Sequence, residues 1–364
     1  MLVLYGDCPL VKRETLSALQ HRHVESGAAA TVLTTRLSNP AGYGRILRGP
    51  DGRVKAIVEH KDAAPEQLQV NEINSGIYCF LTAALFRCLQ RLRPNNPSGE
   101  YYLTDVLAGL VREKQLVEAF PLRDSTQVLG INTRIDLARA DRLLRARKVR
   151  ELMLSGVTIH KPETVSVDAG VTIGPDTILE PFVHVQGRSL ISSGCLIGSH
   201  SVIRDSVLDE NVTVEPFSII QQSRIGTGAR IGPYARLRGG NEIGPDARVG
   251  NFVELKKTRL GAGSKANHLA YLGDSEIGAG VNIGAGTITC NYDGSQKHPT
   301  VIDNGVFVGS NSTLVAPLKI GRGAYLAAGS VITEEVPPGA LGIARGRQVN
   351  KLGWAARRKA KPGL

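Results

Sequence analysis

The sequence predicts an α/β domain followed by a left-handed parallel β-helix. Two observations carry this prediction: a six-residue repeat of aliphatic side chains in the second half, and an alternation of strand-like and helix-like segments in the first. With 364 residues, the chain is long enough for two domains that each have a core. We place the α/β domain at residues 1–133, a linker helix at 134–156, the β-helix at 157–341 and a basic tail at 342–364.

The first domain is predicted from apolar stretches that are separated by turn residues. A strand over residues 3–5 ends at a Gly-Asp pair, and residues 12–26 then follow the pattern of a helix. Residues 134–154 are rich in Leu, Ala and Arg and contain no Pro or Gly, which indicates a helix that joins the two domains. Further strand-like stretches lie at 30–37, 54–59 and 73–80.

The β-helix is predicted from aliphatic residues spaced six apart. One strand and one turn per six residues place each aliphatic side chain inside a triangular coil, on which the next coil stacks. Glycine often follows the aliphatic residue, because tight corners need a positive φ. A helix repeats at about 3.6 residues and a strand at about 2, so neither gives this spacing. The three runs are Ile173, Leu179, Val185, Ile191, Ile197 and Ile203; Ile225, Ile231, Leu237, Ile243, Val249 and Leu255; and Ile302, Val308, Leu314, Ile320, Leu326 and Ile332.

The formal net charge of +11 implies an anionic partner or ligand. Nucleic acid and phosphorylated small molecules both satisfy that charge. Basic residues interleaved with stacking aromatics are missing, since aromatic residues make up 5% of the chain. Charge alone does not choose between the two classes of ligand.

Cysteine usage and hydropathy predict a cytoplasmic protein. The five cysteines are scattered and never form a C-x-x-C pair, which argues against a disulfide framework and a zinc site. No stretch approaches the run of about eighteen apolar residues that crosses a membrane. The first residues lack the flanks of a signal peptide, so we expect no membrane association.

Two segments, 256–274 and 290–299, interrupt the six-residue repeat. A coil of this kind needs small and aliphatic residues, so departures from it are where we expect chemistry. Together the segments supply His, Tyr, Asn, Asp and Lys. His268 is a candidate base because an imidazole titrates near neutral pH, although a structural histidine is the commoner role on spacing alone.

Longer motifs in both halves resemble the family of bifunctional GlmU enzymes. In the second half these are Phe252-Val-Glu-Leu-Lys-Lys, Ser264-Lys-Ala-Asn-His-Leu-Ala-Tyr-Leu-Gly-Asp and Asn282-Ile-Gly-Ala-Gly-Thr-Ile-Thr-Cys-Asn-Tyr-Asp-Gly, which resemble its acetyltransferase domain. In the first half Leu4-Tyr-Gly-Asp-Cys-Pro-Leu, Gly42-Tyr-Gly-Arg-Ile, Ile57-Val-Glu-His-Lys-Asp, Glu72-Ile-Asn-Ser-Gly-Ile-Tyr and Gly130-Ile-Asn-Thr-Arg resemble its uridylyltransferase domain, which has a Rossmann-like nucleotide-diphospho-sugar transferase fold.

The resemblance implies an enzyme that N-acetylates glucosamine-1-phosphate with acetyl-coenzyme A and then uridylylates the product to UDP-N-acetylglucosamine. It makes His268 the catalytic base. It implies a homotrimer with sites between adjacent β-helices, and neither nucleic acid nor membrane as a partner. For glucosamine-1-phosphate it implies contacts from Arg238, Lys256, Tyr271, Asn282 and Lys297. For acetyl-coenzyme A it implies Ala285, Asn291, Tyr292, Ser310, Ala328 and Arg345, with Arg347 and Lys351 able to share the role of Arg345.

Several of these residues have ordinary structural roles as alternatives. Arg238 and Lys256 could belong to a solvated face, which is the usual place for an isolated cation. Tyr271 could be part of the core, and Asn282 could be a corner residue that tolerates a left-handed backbone.

For the uridylyltransferase half the resemblance implies a Mg²⁺ site at Asp7 and Asn132. It also implies contacts to a UDP-sugar from Gly42, Glu59, Asn74 and Asn132. The family's opening strand and its Gly-rich loop, Leu-x-x-Gly-x-Gly-Thr-x-Met followed by Pro-Lys, are absent from the sequence. We therefore expect a remnant domain with an exposed edge and no uridylyl transfer by this chain. A partial or mis-started reading frame explains this better than the alternative, a domain that has lost its first activity, because the remaining motifs are intact.

Two other functions fit the same architecture. One is a sugar-phosphate nucleotidyltransferase whose β-helix is only structural or regulatory. The other is a non-enzymatic subunit whose β-helix joins partners. Neither needs the polar set that the acetyltransferase needs, namely His268, Tyr271, Asn282 and Lys297.

Overall fold

The computed structural model describes residues 1–94 and 99–359. The chain divides into two compact units, Met1–Leu144 and Arg145–Leu364. The last five residues of the predicted basic tail lie outside the described residues. In the described part of the chain, no helix is both long enough and apolar enough to cross a membrane.

In the described part of the first unit, six strands form one mixed sheet of order β4-β3-β5-β2-β6, with β1 antiparallel to β5. Strands β2 and β6 run parallel, whereas β5 is antiparallel to β2 and β3. The strands are β1 (Leu2–Val3), β2 (Ala30–Arg36), β3 (Arg45–Arg48), β4 (Val54–Val58), β5 (Glu72–Phe80) and β6 (Val117–Leu122). The helices are α1 (Arg13–Ser26), α2 (Pro65–Leu68), α3 (Thr82–Leu89) and α4 (Asp105–Arg112). Helix α5 (Arg134–Leu154) begins in this unit and ends in the second.

Helices cover both faces of this sheet. Because successive side chains of a strand point to opposite faces, neighbours on β2 enter different clusters. Val32 packs with Leu85 of α3 and Leu107 of α4. Leu33 packs on the other face with Leu19 of α1. Every residue of β5 is buried, as expected for a strand between covered faces.

The first-unit elements agree with the predicted ones to within two residues at most ends. Helix α5 spans the predicted range, and the predicted strand at residues 3–5 is the shorter β1. Short 3-10 turns at His60–Asp62 and Ser125–Val128 complete this unit. Leu2, Leu4 and Tyr5 remain more than one-third exposed.

The second unit is a parallel β-helix with three sheets, so the predicted fold class is confirmed. The first sheet contains β7 (Thr158–Ile159), β10 (Ile178–Leu179), β13 (Leu196–Ile197), β16 (Thr213–Val214), β19 (Arg230–Ile231), β22 (Arg248–Asn251), β25 (Lys265–His268), β28 (Asn282–Ile283), β31 (Phe307–Val308), β34 (Tyr325–Leu326) and β36 (Leu341–Gly342). The second contains β8 (Ser166–Val167), β11 (His184–Gln186), β14 (Val202–Arg204), β17 (Ile219–Gln221), β20 (Arg236–Leu237), β23 (Glu254–Lys256), β26 (Tyr271–Gly273), β29 (Ile288–Cys290), β32 (Thr313–Val315) and β35 (Val331–Ile332). The third contains β9 (Thr172–Ile173), β12 (Leu190–Ile191), β15 (Val207–Leu208), β18 (Ser223–Ile225), β21 (Asn241–Ile243), β24 (Arg259–Leu260), β27 (Ser275–Ile277), β30 (Thr300–Ile302) and β33 (Leu318–Ile320). A 3-10 turn at Pro162–Thr164 lies in the first coil, and α6 (Trp354–Lys359) lies near the end of the chain.

The aliphatic residues of all three predicted runs are buried in one core cluster. The phase break between the first two runs consists of two shortened steps. Ile203 is followed inside the coil by Leu208 and Ile220 by Ile225, so a coil takes seventeen residues there. The repeat therefore continues without interruption through this region.

The predicted interruption at residues 256–274 is wrong, because the chain stays within the coil there through β24, β25 and β26. The inward positions are Leu260, Ala266 and Leu272, all fully buried. The six-residue spacing is not visible here because the step from Leu255 to Leu260 has five residues and the inward position at 266 is a small alanine. The second predicted interruption is confirmed: β29 ends at Cys290 and β30 begins at Thr300, which leaves residues 291–299 as an extruded loop.

An aromatic column runs along the corner between the first and second sheets. Adjacent rings stack with centroid separations of 4.7 to 5.4 Å. All members have a positive φ, because each occupies the same turn position on a successive coil. The column consists of Phe182, His200, Phe217, Tyr234 and Phe252. Leu269 occupies the next position, directly after His268, so the column ends beside the candidate base.

Candidate functional site

His268 ends β25 at this corner, and its side chain is exposed. Its partner in the parallel register is Asn251, which ends β22 one coil earlier. The Asn251 Oδ1 and His268 Nδ1 atoms lie 2.6 Å apart. Asn251 was not among the predicted site residues. Its position one coil before the candidate base was the signal that could have found it.

Lys256 and Lys297 form a pair of neighbouring cations. Lys256 ends β23 on the second sheet, and Lys297 lies in the extruded loop. The adjacent Lys256 ammonium lowers the pKa of Lys297. Two ammonium groups in contact repel each other, so an anion placed between them would be stabilised. The pair is therefore suited to hold a phosphate.

Asp274 connects this cation pair to the base of the loop, and sequence reasoning missed it. Its Oδ2 atom lies 3.8 Å from Lys256 Nζ. The buried Asn291 side chain donates a hydrogen bond from its amide to the same carboxylate oxygen. Asp274 directly follows the predicted Tyr271-Leu-Gly stretch and comes eighteen residues after the predicted cation Lys256. An acidic residue at that spacing was the available signal.

Gly273 provides the space in which Tyr271 and Asn291 approach each other. A methyl group at Gly273 would lie 2.5 Å from Tyr271 Oη and 2.9 Å from Asn291 Nδ2. Tyr271 is half-buried on β26. The structure thus brings two of the predicted polar side chains together over a glycine that the sequence analysis did not single out.

The remaining predicted sugar-phosphate residues lie on both sheets. Arg238 follows β20, at the register position that Lys256 occupies on the next coil. Its guanidinium donates to Glu254 Oε1 at 3.0 Å and is about half exposed. Asn282 begins β28 on the first sheet and pairs in register with Lys265 and Phe307. Arg238 therefore shares a row with Lys256, whereas Asn282 lies at the start of a first-sheet strand.

Downstream of His268 the same corner carries a row of predicted acetyl-coenzyme A residues. The register of the first sheet places Ala285, Ser310 and Ala328 on successive coils after His268. The Ala285 carbonyl accepts from Asn311 at 2.7 Å, and the Ser310 carbonyl accepts from Gly329 at 2.8 Å. Each coil advances by about 4.8 Å, so the row extends over roughly 15 Å.

Arg345 lies at the far end of this row. Its Nη1 donates to the Ala328 carbonyl oxygen at 2.9 Å, and its side chain is exposed. Arg347 and Lys351 are also exposed in the segment that follows. A row of backbone groups that ends in a cation suits an extended ligand with phosphates at one end.

The extruded loop is braced internally. Tyr292 pairs with Lys297 in an isolated antiparallel bridge. The Asp293 carboxylate accepts from the backbone of Gln296, at 2.7 Å, and from His298 Nε2, also at 2.7 Å. These hydrogen bonds, with the Gln296 amide first, lower the pKa of Asp293. The bridge and these hydrogen bonds hold together the two sides of the loop, which carry Tyr292 and Lys297.

In the first unit Asp7 and Asn132 lie together near Gly130. A methyl group at Gly130 would lie 3.5 Å from Asp7 Oδ2 and 3.8 Å from Asn132 Nδ2. The Ile131 N–H donates to the Asp7 carbonyl at 3.0 Å, which ties the two segments together. Among the described residues, no group of three or more His, Cys, Asp or Glu side chains is arranged to hold a metal ion. One carboxylate and one amide still fit Mg²⁺, which often takes few protein ligands and several from phosphates or water.

Three of the predicted UDP-sugar residues, Gly42, Glu59 and Asn74, lie near Gly44, whereas Asn132 lies near Gly130. The Gly44 carbonyl accepts from the Asn74 N–H at 2.9 Å, and a methyl group at Gly44 would lie 3.3 Å from Glu59 Oε2. Burial raises the pKa of Glu59, whose Oε1 accepts from the Thr104 hydroxyl at 3.2 Å. Gly42 begins this turn with a φ of +84°. Thr104 was not predicted, since no motif marks it.

The charges of both groups of first-unit residues act on Tyr5. Burial raises the pKa of Tyr5 most, and the negative charges of Glu59 and Asp7 raise it further. Its ring packs against the backbone of Gly76, where a Cβ atom would overlap it. Tyr5 was inside a quoted motif but was not named as a site residue.

Fold and site together define a transferase with a nucleotidyltransferase unit and a hexapeptide-repeat unit. The nucleotidyl transferase family matches residues 1–143. The GlmU-like C-terminal hexapeptide family matches residues 183–254, and the bacterial transferase hexapeptide family matches 299–334.

Similarity over nearly the whole of this chain identifies the particular family. The bifunctional protein GlmU of Koribacter versatilis is 52% identical over 99% of this chain and 78% of its own length. The GlmU protein of Carboxydothermus hydrogenoformans is 50% identical over 96% of this chain and 78% of its own length. That of Solibacter usitatus is 52% identical over 99% of this chain and 77% of its own length. The chain belongs to the family of bifunctional GlmU proteins.

Proposed function

We propose that this chain transfers the acetyl group of acetyl-coenzyme A to the amine of glucosamine-1-phosphate, with His268 as the base. One observation carries the proposal. The exposed imidazole lies at the end of the corner row that leads to Arg345, and the same β-helix carries the Lys256 and Lys297 cation pair. A purely structural coil needs neither the base nor the cations.

The reaction needs a neutral amine and a stabilised leaving group. His268 removes the proton that the amine loses as its nitrogen attacks the thioester carbonyl carbon. A carbon–nitrogen bond forms, the carbon–sulfur bond breaks, and the imidazolium returns the proton to the departing thiolate. An imidazole suits both steps because it exchanges protons near neutral pH.

The acceptor is proposed to bind through its phosphate. Lys256, Lys297 and Arg238 supply the positive charge, and the guanidinium can make two parallel hydrogen bonds to a phosphate. Tyr271 and Asn282 would hold the sugar ring. The position of Tyr271 beside Asn291, over Gly273, supports this role.

The donor is proposed to extend along the corner row. Ala285 and Ala328 would contribute backbone contacts and Ser310 a hydroxyl or amide. Asn291 and Tyr292 would lie near the reacting amine. Arg345 would bind the phosphates of coenzyme A, with Arg347 and Lys351 as neighbours. We further propose a cytoplasmic homotrimer with its sites between adjacent β-helices, because these residues are mostly exposed on the single chain.

For the first unit we propose that Asp7 and Asn132 form a Mg²⁺ site. Gly42, Glu59, Asn74 and Asn132 would contact a UDP-sugar. Pyrophosphate release from UTP and N-acetylglucosamine-1-phosphate in the presence of Mg²⁺ tests whether this unit transfers a uridylyl group. The domain limits 1–133, 134–156, 157–341 and 342–364 also remain our proposal.

Thiol release from acetyl-coenzyme A in the presence of glucosamine-1-phosphate tests the main proposal. We expect His268→Ala to lower kcat by about a hundred- to ten-thousand-fold, the usual loss when a general base is removed. His184→Ala is the matched control, because His184 is also exposed on a β-helix strand but lies on a distant coil. We expect it to retain native activity.

Two outcomes would contradict the proposal. Full activity of His268→Ala would remove the assignment of the base. No thiol release by the native chain would favour a β-helix that is only structural or that joins partners. Glucosamine without its phosphate serves as a second acceptor, and its KM should be far higher if the cation pair binds the phosphate.

A further inference from the structure

We infer that Asn251 is a positioning residue that holds His268 in the form in which Nε2 can accept a proton. The inference rests on the acetyl transfer proposed above and adds a residue to it. In the described part of the chain, the Asn251 side chain makes its hydrogen bond with the imidazole and with none of the residues to which we assign substrate contacts. Its Oδ1 atom lies 2.6 Å from His268 Nδ1.

The backbone of two adjacent coils builds this contact. Asn251 and His268 are register partners on parallel strands, which lie about 4.8 Å apart. The Leu269 N–H donates to the Asn251 carbonyl at 3.0 Å. A Cβ atom at Gly250 would overlap the Asn267 carbonyl, so glycine is required for the coils to approach this closely. The close approach of the two coils therefore brings the Asn251 and His268 side chains into hydrogen-bond distance.

The hydrogen bond determines which ring nitrogen carries the proton. An amide oxygen can only accept, so Nδ1 of the neutral imidazole holds the hydrogen and the lone pair remains on Nε2. Only a nitrogen with a lone pair can act as a general base. The ring would otherwise be able to exchange tautomers and rotate, because it is exposed.

The neutral charge of Asn251 is also part of the role. A carboxylate at this position would stabilise the imidazolium, which cannot accept a proton. An amide orients the ring and selects its tautomer without adding a negative charge. Asn251→Ala and Asn251→Asp therefore test two different parts of the inference.

The first experiment measures the pH dependence of thiol release by the native chain and both variants. For Asn251→Ala we expect kcat to fall on the order of 10- to 100-fold, as when a partner that orients a reactive imidazole is removed, with KM for the acceptor nearly unchanged. For Asn251→Asp we expect the acid limb of the kcat profile to move to higher pH by about one unit. A merely structural residue would not move this limb.

Asn304→Ala is the control. The Asn304 side chain also accepts a hydrogen bond from a neighbouring coil, from the Ala279 N–H at 2.8 Å, but it lies at another corner. We expect this variant to keep the native profile. Circular dichroism and thermal unfolding of each variant separate a folding defect from loss of the base.

The second experiment does not depend on activity. In histidine labelled with ¹⁵N, the His268 signal, assigned by its loss in His268→Ala, should show a protonated Nδ1 and an unprotonated Nε2 at neutral to alkaline pH. A protonated Nε2, or a native kcat and pH profile in both Asn251 variants, would overturn the inference. If the native chain shows no acetyl transfer, the proposed function fails, and the NMR spectrum still decides the role of Asn251.

Discussion

The two units build their candidate sites in different ways. In the β-helix the contacting side chains come from adjacent coils, so Asn251 and His268 are seventeen residues apart, as are Asp274 and Asn291. In the first unit, by contrast, Glu59 and Thr104 are forty-five residues apart. A repeat fixes the sequence distance between neighbours, whereas a mixed sheet with long connections does not. Site partners on the coils of the β-helix can therefore be found by counting, whereas those in the first unit, and Lys297 in the extruded loop, cannot.

Among the substitutions that test this difference between the two units, we expect Gly273→Ala to lower acetyl transfer most. The added methyl group would displace Tyr271 and Asn291, which come from two adjacent coils. A misplacement of about 1 Å in a reacting group can lower a rate about a hundred-fold, and we expect a loss of that order in kcat/KM. The unfolding temperature should change little, because the displaced atoms are the ends of side chains. Steady-state kinetics and calorimetry measure the two quantities.

Gly6→Ala is the control for this substitution. Gly6 has an ordinary negative φ and open space around its Cα, and it lies in the other unit. An equal loss in Gly6→Ala, or native kinetics in Gly273→Ala, would show that the space above Gly273 does not matter for acetyl transfer.

A smaller effect is expected from Lys256→Met. Loss of one charged contact to the phosphate should raise KM for glucosamine-1-phosphate by about 10-fold, with kcat nearly unchanged. The Lys256 ammonium lowers the pKa of Lys297, so in the native chain Lys297 loses its charge at a lower pH than an isolated lysine. Without Lys256, Lys297 keeps its charge to higher pH. The alkaline rise of KM should therefore begin at a higher pH in the variant.

The measurement is KM for the acceptor over a pH series that rises from neutral pH to the ordinary lysine pKa of about 10.4. Lys319→Met, on the third sheet, is the matched control and should match the native curve. If the alkaline rise began at the same pH in Lys256→Met, the two cations would not interact as described.

We expect Gly76→Ala, in the first unit, to leave acetyl transfer unchanged. Gly76 has a φ of +76°, and the Tyr5 ring occupies the place of a Cβ atom. Strain of this kind typically costs about 1–3 kcal/mol, so the first unit should unfold at a lower temperature. The core of the β-helix is a separate cluster. A parallel fall in acetyl transfer, measured by thiol release at rising temperature, would mean that the units depend on each other for this reaction.

The sequence was sufficient to predict the β-helix because its signal is periodic. The buried positions Ile173 to Ile203 could be read directly from the six-residue spacing. The same reasoning failed at Ala266, where a small residue fills the inward position. The prediction required a large aliphatic side chain at each inward position, whereas the coil requires only an apolar side chain that fits the space inside it.

The candidate site was predicted less completely. The resemblance supplied His268, Lys256 and Lys297, but the residues that contact them were missed. Asn251 and Asp274 are ordinary polar residues in the sequence, and only the coil register shows what they touch. Their importance depends on a neighbour seventeen or eighteen positions away, and a motif search along the chain does not compare such positions.

The length of one coil also has a consequence for inheritance. Because His268 and its partner face each other across one turn of the solenoid, a duplication of one whole coil after Ala285 would leave the imidazole and Asn251 in place. It would lengthen the row towards Arg345 by about 4.8 Å. An insertion of a single residue between Asn251 and His268 would instead separate the pair. A coil added within the row would move Arg345 away from a ligand of fixed length, and a change within 291–299 would move Tyr292 and Lys297. Genes for such proteins can therefore change in length by whole coils before Arg238 at little risk to the reaction.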